Sequence, residues 1–314
     1  MKLGLGTVQF GRDYGVSNAT GQVADAEVRA ILARAQAAGI AVLDTAAGYG
    51  AAETVLGRTA TDWPDQSIVT KTCVLRDMGA GMDPARAVQE TFAGSLKRLG
   101  RPSVYALMAH LADELLSSDG DAMWAAMASI KAGGGAQKIG ASCYTPDEAQ
   151  ALLDRYPIEI LQLPMNIFDQ RMVASGMLDA CYAKGVEVHV RSAFLQGLIL
   201  MDPDALPDGF ASAQASLRAL RRAANEAGVS PLALALRFVL NQPAVARVIV
   251  GVTSVRELNE ILAAADTECA VDFAALAVDQ ISLITPSMWP PDSDEAWAFR
   301  YEIAAHRSTI RAFG

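Results

Sequence analysis

The sequence predicts a (β/α)8 barrel, the TIM-barrel class of α/β fold, as one domain over residues 1–314. Three observations carry that prediction. Eight short β-branched or apolar runs recur along the chain, and most are nearly continuous in hydrophobicity, as strands buried on both faces of a parallel sheet are. Helical patterns with recognisable start signals fill the gaps between them. The alternation covers nearly the whole chain, which suits a barrel of typical size ~250 residues. A doubly wound open sheet, the competing arrangement, would more often carry a GxGxxG turn after its first strand. "GLGTVQFG" does not have that spacing.

The elements follow in order. "LGLGT" near Leu3 is the first strand. In "ADAEVRAILARAQAAG" the residues Val28, Ile31, Leu32 and Ala35 keep helical spacing. "AVLDTA" at Ala41 and "SIVTKT" at Ser67 are strands two and three. Asp83 then caps a helix with Pro84 at its first position, and Gly100 ends it. "VYALMAH" at Val104 and "KIGASC" at Lys138 are strands four and five. Thr145-Pro146-Asp147-Glu148 reads as a capping box with proline in the first turn. "EILQLPMN" at Glu159 and "VEVHVRSA" at Val186 are strands six and seven, and the acidic loop "DPDALPDG" follows from Asp202 to Gly209. Ser230-Pro231 starts a further helix, "ARVIVGV" at Ala246 is strand eight, and Ser254-Val255-Arg256-Glu257 is a second capping-box candidate. The chain closes on an aromatic, partly amphipathic tail from Pro286 to Gly314.

Composition narrows the function. A hydrophobic fraction of 52% supports a large core. A net charge of −9 without any lysine or arginine run disfavours nucleic acid or an anionic membrane as a partner. Cys73, Cys143, Cys181 and Cys269 form no CxxC pair, so free thiols in a reducing compartment are expected, not a zinc knuckle or redox dithiol. The start "MKLGLGTVQFG" is too glycine-broken for a signal peptide, and no apolar run reaches the length of a membrane span. A cytoplasmic protein is the expectation. The three histidines lack metal-ligand spacing, and His189 and His306 read as structural or surface residues.

In a barrel the C-terminal strand ends share one mouth. Here the apolar strands repeatedly finish on polar side chains. The second ends at Asp44, with Tyr49 between Gly48 and Gly50 in the loop that follows. The third ends at Lys71, the fourth at His110 and the fifth at Ser142. The sixth carries Gln162 and Asn166, and the seventh ends at Arg191 and Ser192. Alone, Tyr49 reads as a packed turn residue, Lys71 as a solvated lysine, and His110 or Gln162 as a satisfied core group. Together Asp44, Tyr49, Lys71 and His110 make a proton relay. A free phenol, with pKa about 10, is a poor acid at neutral pH. A lysine ammonium nearby favours the phenolate, a carboxylate holds the ammonium in place, and a histidine orients a carbonyl. Carbonyl reduction needs such a relay, because the alkoxide formed by hydride delivery must take up a proton.

"DTAAGYG", "TK" and "LMAH", with Asp44, Tyr49, Lys71 and His110, resemble the aldo-keto reductase superfamily. The likeness continues in order through "GASCYTPDEA", "LQLPMN", "VRSAFLQG" and "IVGVTSVRELNEILAAA". It implies a barrel with NAD(H) or NADP(H) extended across the mouth and direct hydride transfer to an aldehyde, ketone or sugar-like carbonyl, without a metal. The matching tyrosine is the general acid. Carried over by position, Gly6, Thr7 and Asp44 line the cofactor near the reactive centre. Ser142 and Gln162 hold the carboxamide. Arg191 and Ser192 lie beside the nicotinamide ring and pyrophosphate, and Leu195, Gln196 and Gly197 continue that loop. Gly251, Thr253, Ser254 and Glu257 fall at the adenosine-phosphate end, where a helix N-terminus offers N–H groups to phosphate. The chain departs from the pattern at Cys143, where many members have asparagine, which leaves one carboxamide hydrogen bond without its usual partner. Glu257 stands where members that take a 2′-phosphate often carry arginine, which leans the expectation toward NAD(H), with Arg256 next door pulling the other way. The resemblance also implies that the C-terminal tail folds near the mouth. A second expectation comes from KidO-like, NAD(H)-binding cell-division regulators: a sensor whose cofactor occupancy biases contact with a protein partner.

Overall fold

The computed structural model describes residues 1–61, 63, 65–75 and 81–289. Eight parallel strands close on themselves in sequence order, β1 through β8 and back to β1. They are β1 (Leu3–Gly6), β2 (Val42–Asp44), β3 (Ser67–Lys71), β4 (Val104–Ala109), β5 (Ala136–Ser142), β6 (Ile160–Pro164), β7 (Glu187–Arg191) and β8 (Val245–Gly251). All eight expected strands are present, and closure excludes the open doubly wound sheet.

The helices in chain order are α1 (Val8–Gly11), α2 (Asp25–Ala37), α3 (Ala52–Thr59), α4 (Pro84–Leu99), α5 (Ala112–Leu116), α6 (Gly120–Ala132) and α7 (Pro146–Arg155). They continue with α8 (Arg171–Ala174), α9 (Met177–Ala183), α10 (Gln214–Glu226), α11 (Pro231–Leu240), α12 (Val255–Ala265) and α13 (Ile281–Ile284). The start signals act as expected. Asp83 accepts from the Arg86 N–H, and Gly100 takes the left-handed conformation that ends α4. Thr145 and Glu148 form a complete capping box on α7, and Ser230 caps α11 through the Ala233 N–H. On α2, Val28, Ile31, Leu32 and Ala35 are the buried stripe.

The apolar interior divides in two. The larger cluster fills the space between barrel and helices. A small one, Val42, Val69, Ala106, Met108, Ile160 and Ile249, plugs the barrel itself. Side chains alternate along a strand with period two. Two residues beyond four of these plug positions lie Asp44, Lys71, His110 and Gln162. The inward parity that builds the plug therefore delivers those four side chains to the mouth above it.

Candidate active site

The centre is a buried charge cluster. Lys71 Nζ donates to Asp44 Oδ1 at 2.8 Å and to the Thr45 carbonyl at 3.0 Å. The second oxygen of Asp44 accepts from Gln162 Nε2 at 2.7 Å. β2 and β6 are not neighbours in the sheet, so this bond crosses the barrel interior. Thr7 closes the arrangement from β1, donating both its N–H and its hydroxyl to the Asp44 carbonyl at 3.0 and 2.9 Å. Asp44, Lys71, Gln162 and Thr7 are all nearly inaccessible to solvent. Burial outweighs the neighbouring carboxylate and sets the Lys71 pKa below the ordinary lysine value, so its ammonium gives up a proton more readily than a surface lysine does.

Tyr49 is brought to this cluster by its loop. Its N–H donates to the Ala46 carbonyl at 3.1 Å, and its own carbonyl accepts from Ala52 at 3.1 Å as α3 begins. Gly50 has φ +57, and Ala51 donates to the Gly11 carbonyl at 3.1 Å. A Cβ on Gly11 would stand 1.9 Å from the Tyr49 carbonyl oxygen, so only glycine lets α1 sit against this turn. Helix α3 is anchored in turn by buried Glu53, which accepts from Thr70 at 2.6 Å and from Arg98 Nε at 2.8 Å. Lys71 Nζ consequently lies 4.9 Å from the Tyr49 ring centroid, and the His110 ring meets Tyr49 edge-on at 5.8 Å. The sequence-selected quartet is one contiguous group.

It faces a cavity of about 530 Å³. Asp44, Tyr49, Lys71 and His110 line it, as do Gly6, Thr7, Ser142, Gln162, Arg191 and Ser192. Gln196, Gly197, Gly251, Thr253 and Glu257 line it too. Two expected residues do not line it. Leu195 packs into the outer core, and the Ser254 hydroxyl is spent capping α12 through the Glu257 N–H at 3.2 Å. Asn166 serves backbone groups, accepting from Phe168 and Asp169 and donating to the Ser192 carbonyl. The Cys143 thiol is buried in the outer core, where burial raises its pKa.

The α12 end differs from expectation. Its N–H groups are largely committed: Val255 donates to Glu27 Oε1 at 2.7 Å, and Thr253 N–H and hydroxyl both reach Glu257, at 2.6 and 2.9 Å. Glu257 thus closes its cap one residue earlier than a standard capping box, and two carboxylates already occupy this positive end. Glu27 lies 228 residues away in sequence, and no local signal marks it.

Two further tyrosines line the cavity that the sequence did not single out, Tyr14 and Tyr144. Tyr144 shares inward parity with Ser142, so strand alternation extended past β5 would have found it. Burial, with Tyr49 close by, pushes the Tyr14 phenol well above the ordinary tyrosine value. The loop after β7 is conformationally unusual, with Ser192, Leu195 and Gln196 all at positive φ between 50° and 63°. The aromatic stretch Trp297–Tyr301 and His306 lie outside the described residues, as does the tail from 290 onward.

A closed parallel barrel whose mouth gathers tyrosine, lysine, aspartate and histidine defines a class, and the family profile agrees: the Aldo/keto reductase family matches residues 2–279. The chain belongs to that family, which is one of oxidoreductases that use nicotinamide cofactors. Among curated relatives it is similar to L-glyceraldehyde 3-phosphate reductase of Escherichia coli, in strains O157:H7 and K12, at 26% identity over 271 residues, 74% of this chain and 77% of the relative. Its fold is like that of the holo form of an aldo-keto reductase from Bacillus halodurans (TM-score 0.70, 21% identity, 90% and 95% of the two chains covered). The glycerol dehydrogenase of Gluconobacter oxydans is similar in fold as well (TM-score 0.68, 18% identity, 93% and 94% covered).

The residues present fit a nicotinamide dinucleotide. Gln162 Oε1 is buried without a hydrogen-bond partner among the described residues, an acceptor suited to a carboxamide N–H. Gly251 leaves room that a Cβ would fill, at 2.6 Å from Gln9 Nε2. Among the described residues no cluster has the make-up of a metal site, and no helix is long and apolar enough to cross a membrane.

Proposed function

We propose that this protein reduces an aldehyde, ketone or sugar-like carbonyl with NADH or NADPH, and that Tyr49 is the general acid. The observation that carries the proposal is the packing of Tyr49 against both Lys71 and His110 over a buried Asp44–Lys71 pair at the floor of the cavity. The bound cofactor supplies the hydride. Tyr49 gives its phenol proton to the carbonyl oxygen as negative charge builds there, and the ammonium of Lys71 stabilises the phenolate that is left. Asp44 holds Lys71 through one oxygen and Gln162 through the other, so the relay and the carboxamide site share one carboxylate. His110 orients the carbonyl from the other edge of the Tyr49 ring. Ser142 and Gln162 Oε1 hold the carboxamide.

NAD(H) is favoured over NADP(H). Glu257 and Glu27 both sit on the N-terminus of α12. A 2′-phosphate brought there would meet two carboxylates and few uncommitted N–H groups, whereas ribose hydroxyls can donate to them. Arg256 also lines the cavity, but its exposed side chain faces the carboxylate of Glu260 at 4.0 Å, a third acid at this end.

The test is turnover of NADH and NADPH against a carbonyl panel that includes glyceraldehyde phosphate, the substrate class in the curated relatives' name, followed by reduced-nicotinamide absorbance. Tyr49→Phe should lower kcat by about 10²–10⁴ while dinucleotide binding persists. Absence of turnover by the unmodified protein across a broad panel would overturn the proposal.

A further inference from the structure

We infer that Arg191 makes the cleft select the reduced, uncharged nicotinamide over the oxidised, cationic one; the inference rests on the cofactor reading above. Along β7 the inward positions are Glu187, His189 and Arg191, so the guanidinium is delivered to the cavity at the mouth. Its contacts there are weak and neutral. Nε donates to Ser142 Oγ at 3.4 Å, Nη1 to Ser192 Oγ at 3.4 Å and Nη2 to the Cys143 carbonyl at 3.3 Å. The plane also lies over the Tyr144 ring, 4.2 Å from its centroid. No carboxylate pairs with it among the described residues. Of the other cations lining the cavity, Lys71 is matched by Asp44 at 2.8 Å and exposed Arg256 faces Glu260 at 4.0 Å, and outside it the half-buried guanidinium of Arg171 is matched by Asp169 at 2.8 Å. A guanidinium is not deprotonated in proteins, so the uncompensated charge is permanent.

Its position decides what it acts on. Ser142 Oγ and Gln162 Oε1 are the carboxamide partners in the reading above, and Arg191 reaches that same Ser142 oxygen. The guanidinium is therefore beside the ring that carries the carboxamide. The oxidised ring bears a positive charge, and two cations at a few ångströms in a partly desolvated cleft repel. The reduced ring is neutral and electron-rich, and its face accepts a cation as an aromatic face does. Allowing for solvent screening at an open mouth, the residual discrimination is about tenfold or more in Kd. Arg191 would therefore hold an oxidised cofactor less tightly than a reduced one. Occupancy of the cleft then follows the ratio of reduced to oxidised dinucleotide.

Calorimetric titration of the full chain with NADH, NAD+ and ADP-ribose tests this without reference to turnover. The unmodified protein should bind NADH about tenfold or more tighter than NAD+. Arg191→Met should bring the two to within about twofold, chiefly by tightening NAD+, and Arg191→Lys should keep most of the preference. ADP-ribose keeps the pyrophosphate and lacks the ring, so any change in its binding across the three proteins measures the pyrophosphate contact alone and is subtracted from the comparison of NADH with NAD+. Equal affinity of the unmodified protein for NADH and NAD+ overturns the inference alone, as does a preference that survives Arg191→Met with ADP-ribose binding intact. Failure of the unmodified protein to bind either dinucleotide overturns the cofactor reading and the inference together. Should Arg191→Met lose ADP-ribose binding as well, Arg191→Gln decides: a preference lost there and kept in Arg191→Lys supports the inference, and one kept in both overturns it.

Discussion

Each end of the barrel carries a buried cluster of ionisable side chains, and the two are built differently. At the N-terminal strand ends, Glu187 on β7 accepts from Tyr105 on β4 at 2.5 Å, from His189 Nε2 at 2.7 Å and from Lys138 on β5. These strands are not neighbours of β7, so the contacts are made across the interior. One carboxylate gathers Tyr105, His189 and Lys138, and the second ring nitrogen of His189, Nδ1, has no hydrogen-bond partner among the described residues. At the C-terminal ends, Asp44 gathers Lys71 and Gln162 in the same manner, and this cluster lines the cavity. Gln162 Oε1 has no partner among the described residues, and Arg191 has only long, neutral ones. Both clusters leave a buried polar atom unsatisfied, but Asp44, Lys71, Gln162 and Arg191 line the cavity and Glu187, His189, Tyr105 and Lys138 do not, so a ligand in the cavity can supply the partner only at the C-terminal end.

Breaking the two clusters should separate their roles. The largest effect is expected from Lys71→Met. It removes the ammonium beside Tyr49, so kcat should fall by about 10²–10³, and it leaves Asp44 buried with one partner fewer, at a cost of ~3–5 kcal/mol in urea unfolding. Adding Asp44→Leu should recover much of that stability and none of the activity. Glu187→Gln at the opposite end should cost a comparable amount of stability, ~2–4 kcal/mol, because Lys138 loses its counter-ion in a partly buried place. Its kcat, measured on the folded protein, should be unchanged.

A smaller and graded effect follows from acid. The partners of Glu187 hold its carboxyl pKa well below the ordinary glutamate value in the folded state, although burial acts in the opposite direction. A group with a depressed folded pKa contributes stability above its unfolded pKa and loses it as pH falls toward the folded value. The urea midpoint should therefore decline from about pH 5 downward. In Glu187→Gln that decline should be shallower. The smallest effect belongs to the surface. Arg86 and Glu90 pair at 2.7 Å on α4 with both side chains largely exposed, and Glu90→Gln should leave Tm unmoved within error.

Much of this site was legible before any coordinates, and the reason is the strand period. Asp44, Lys71, His110 and Gln162 each follow an apolar inward residue by two places, so reading to the end of each apolar run finds them. Tyr49 was legible through its flanking glycines and its distance from Asp44. Tyr144 was within reach of the same rule and was passed over because it lies beyond the last strand residue. Glu27 was not legible, since its bond to Val255 depends on how α2 packs on α12; Glu257 was legible as a capping acid, and the structure moves its closure one residue back, onto Thr253.

By itself the sequence determined the element order, the helix caps, the parity of each strand and the four residue types at the mouth. Those are properties of neighbours a few positions apart, governed by local hydrogen bonding and the pleat. Tertiary structure alone decided which charges are matched: that Asp44 serves Lys71 and Gln162 across the barrel, that Glu27 joins Glu257 on the start of α12, and that Arg191 has no counter-ion among the described residues. Burial and charge compensation are set by closure of the ring, which brings β2 to β6 and α2 to α12 over separations of more than a hundred residues.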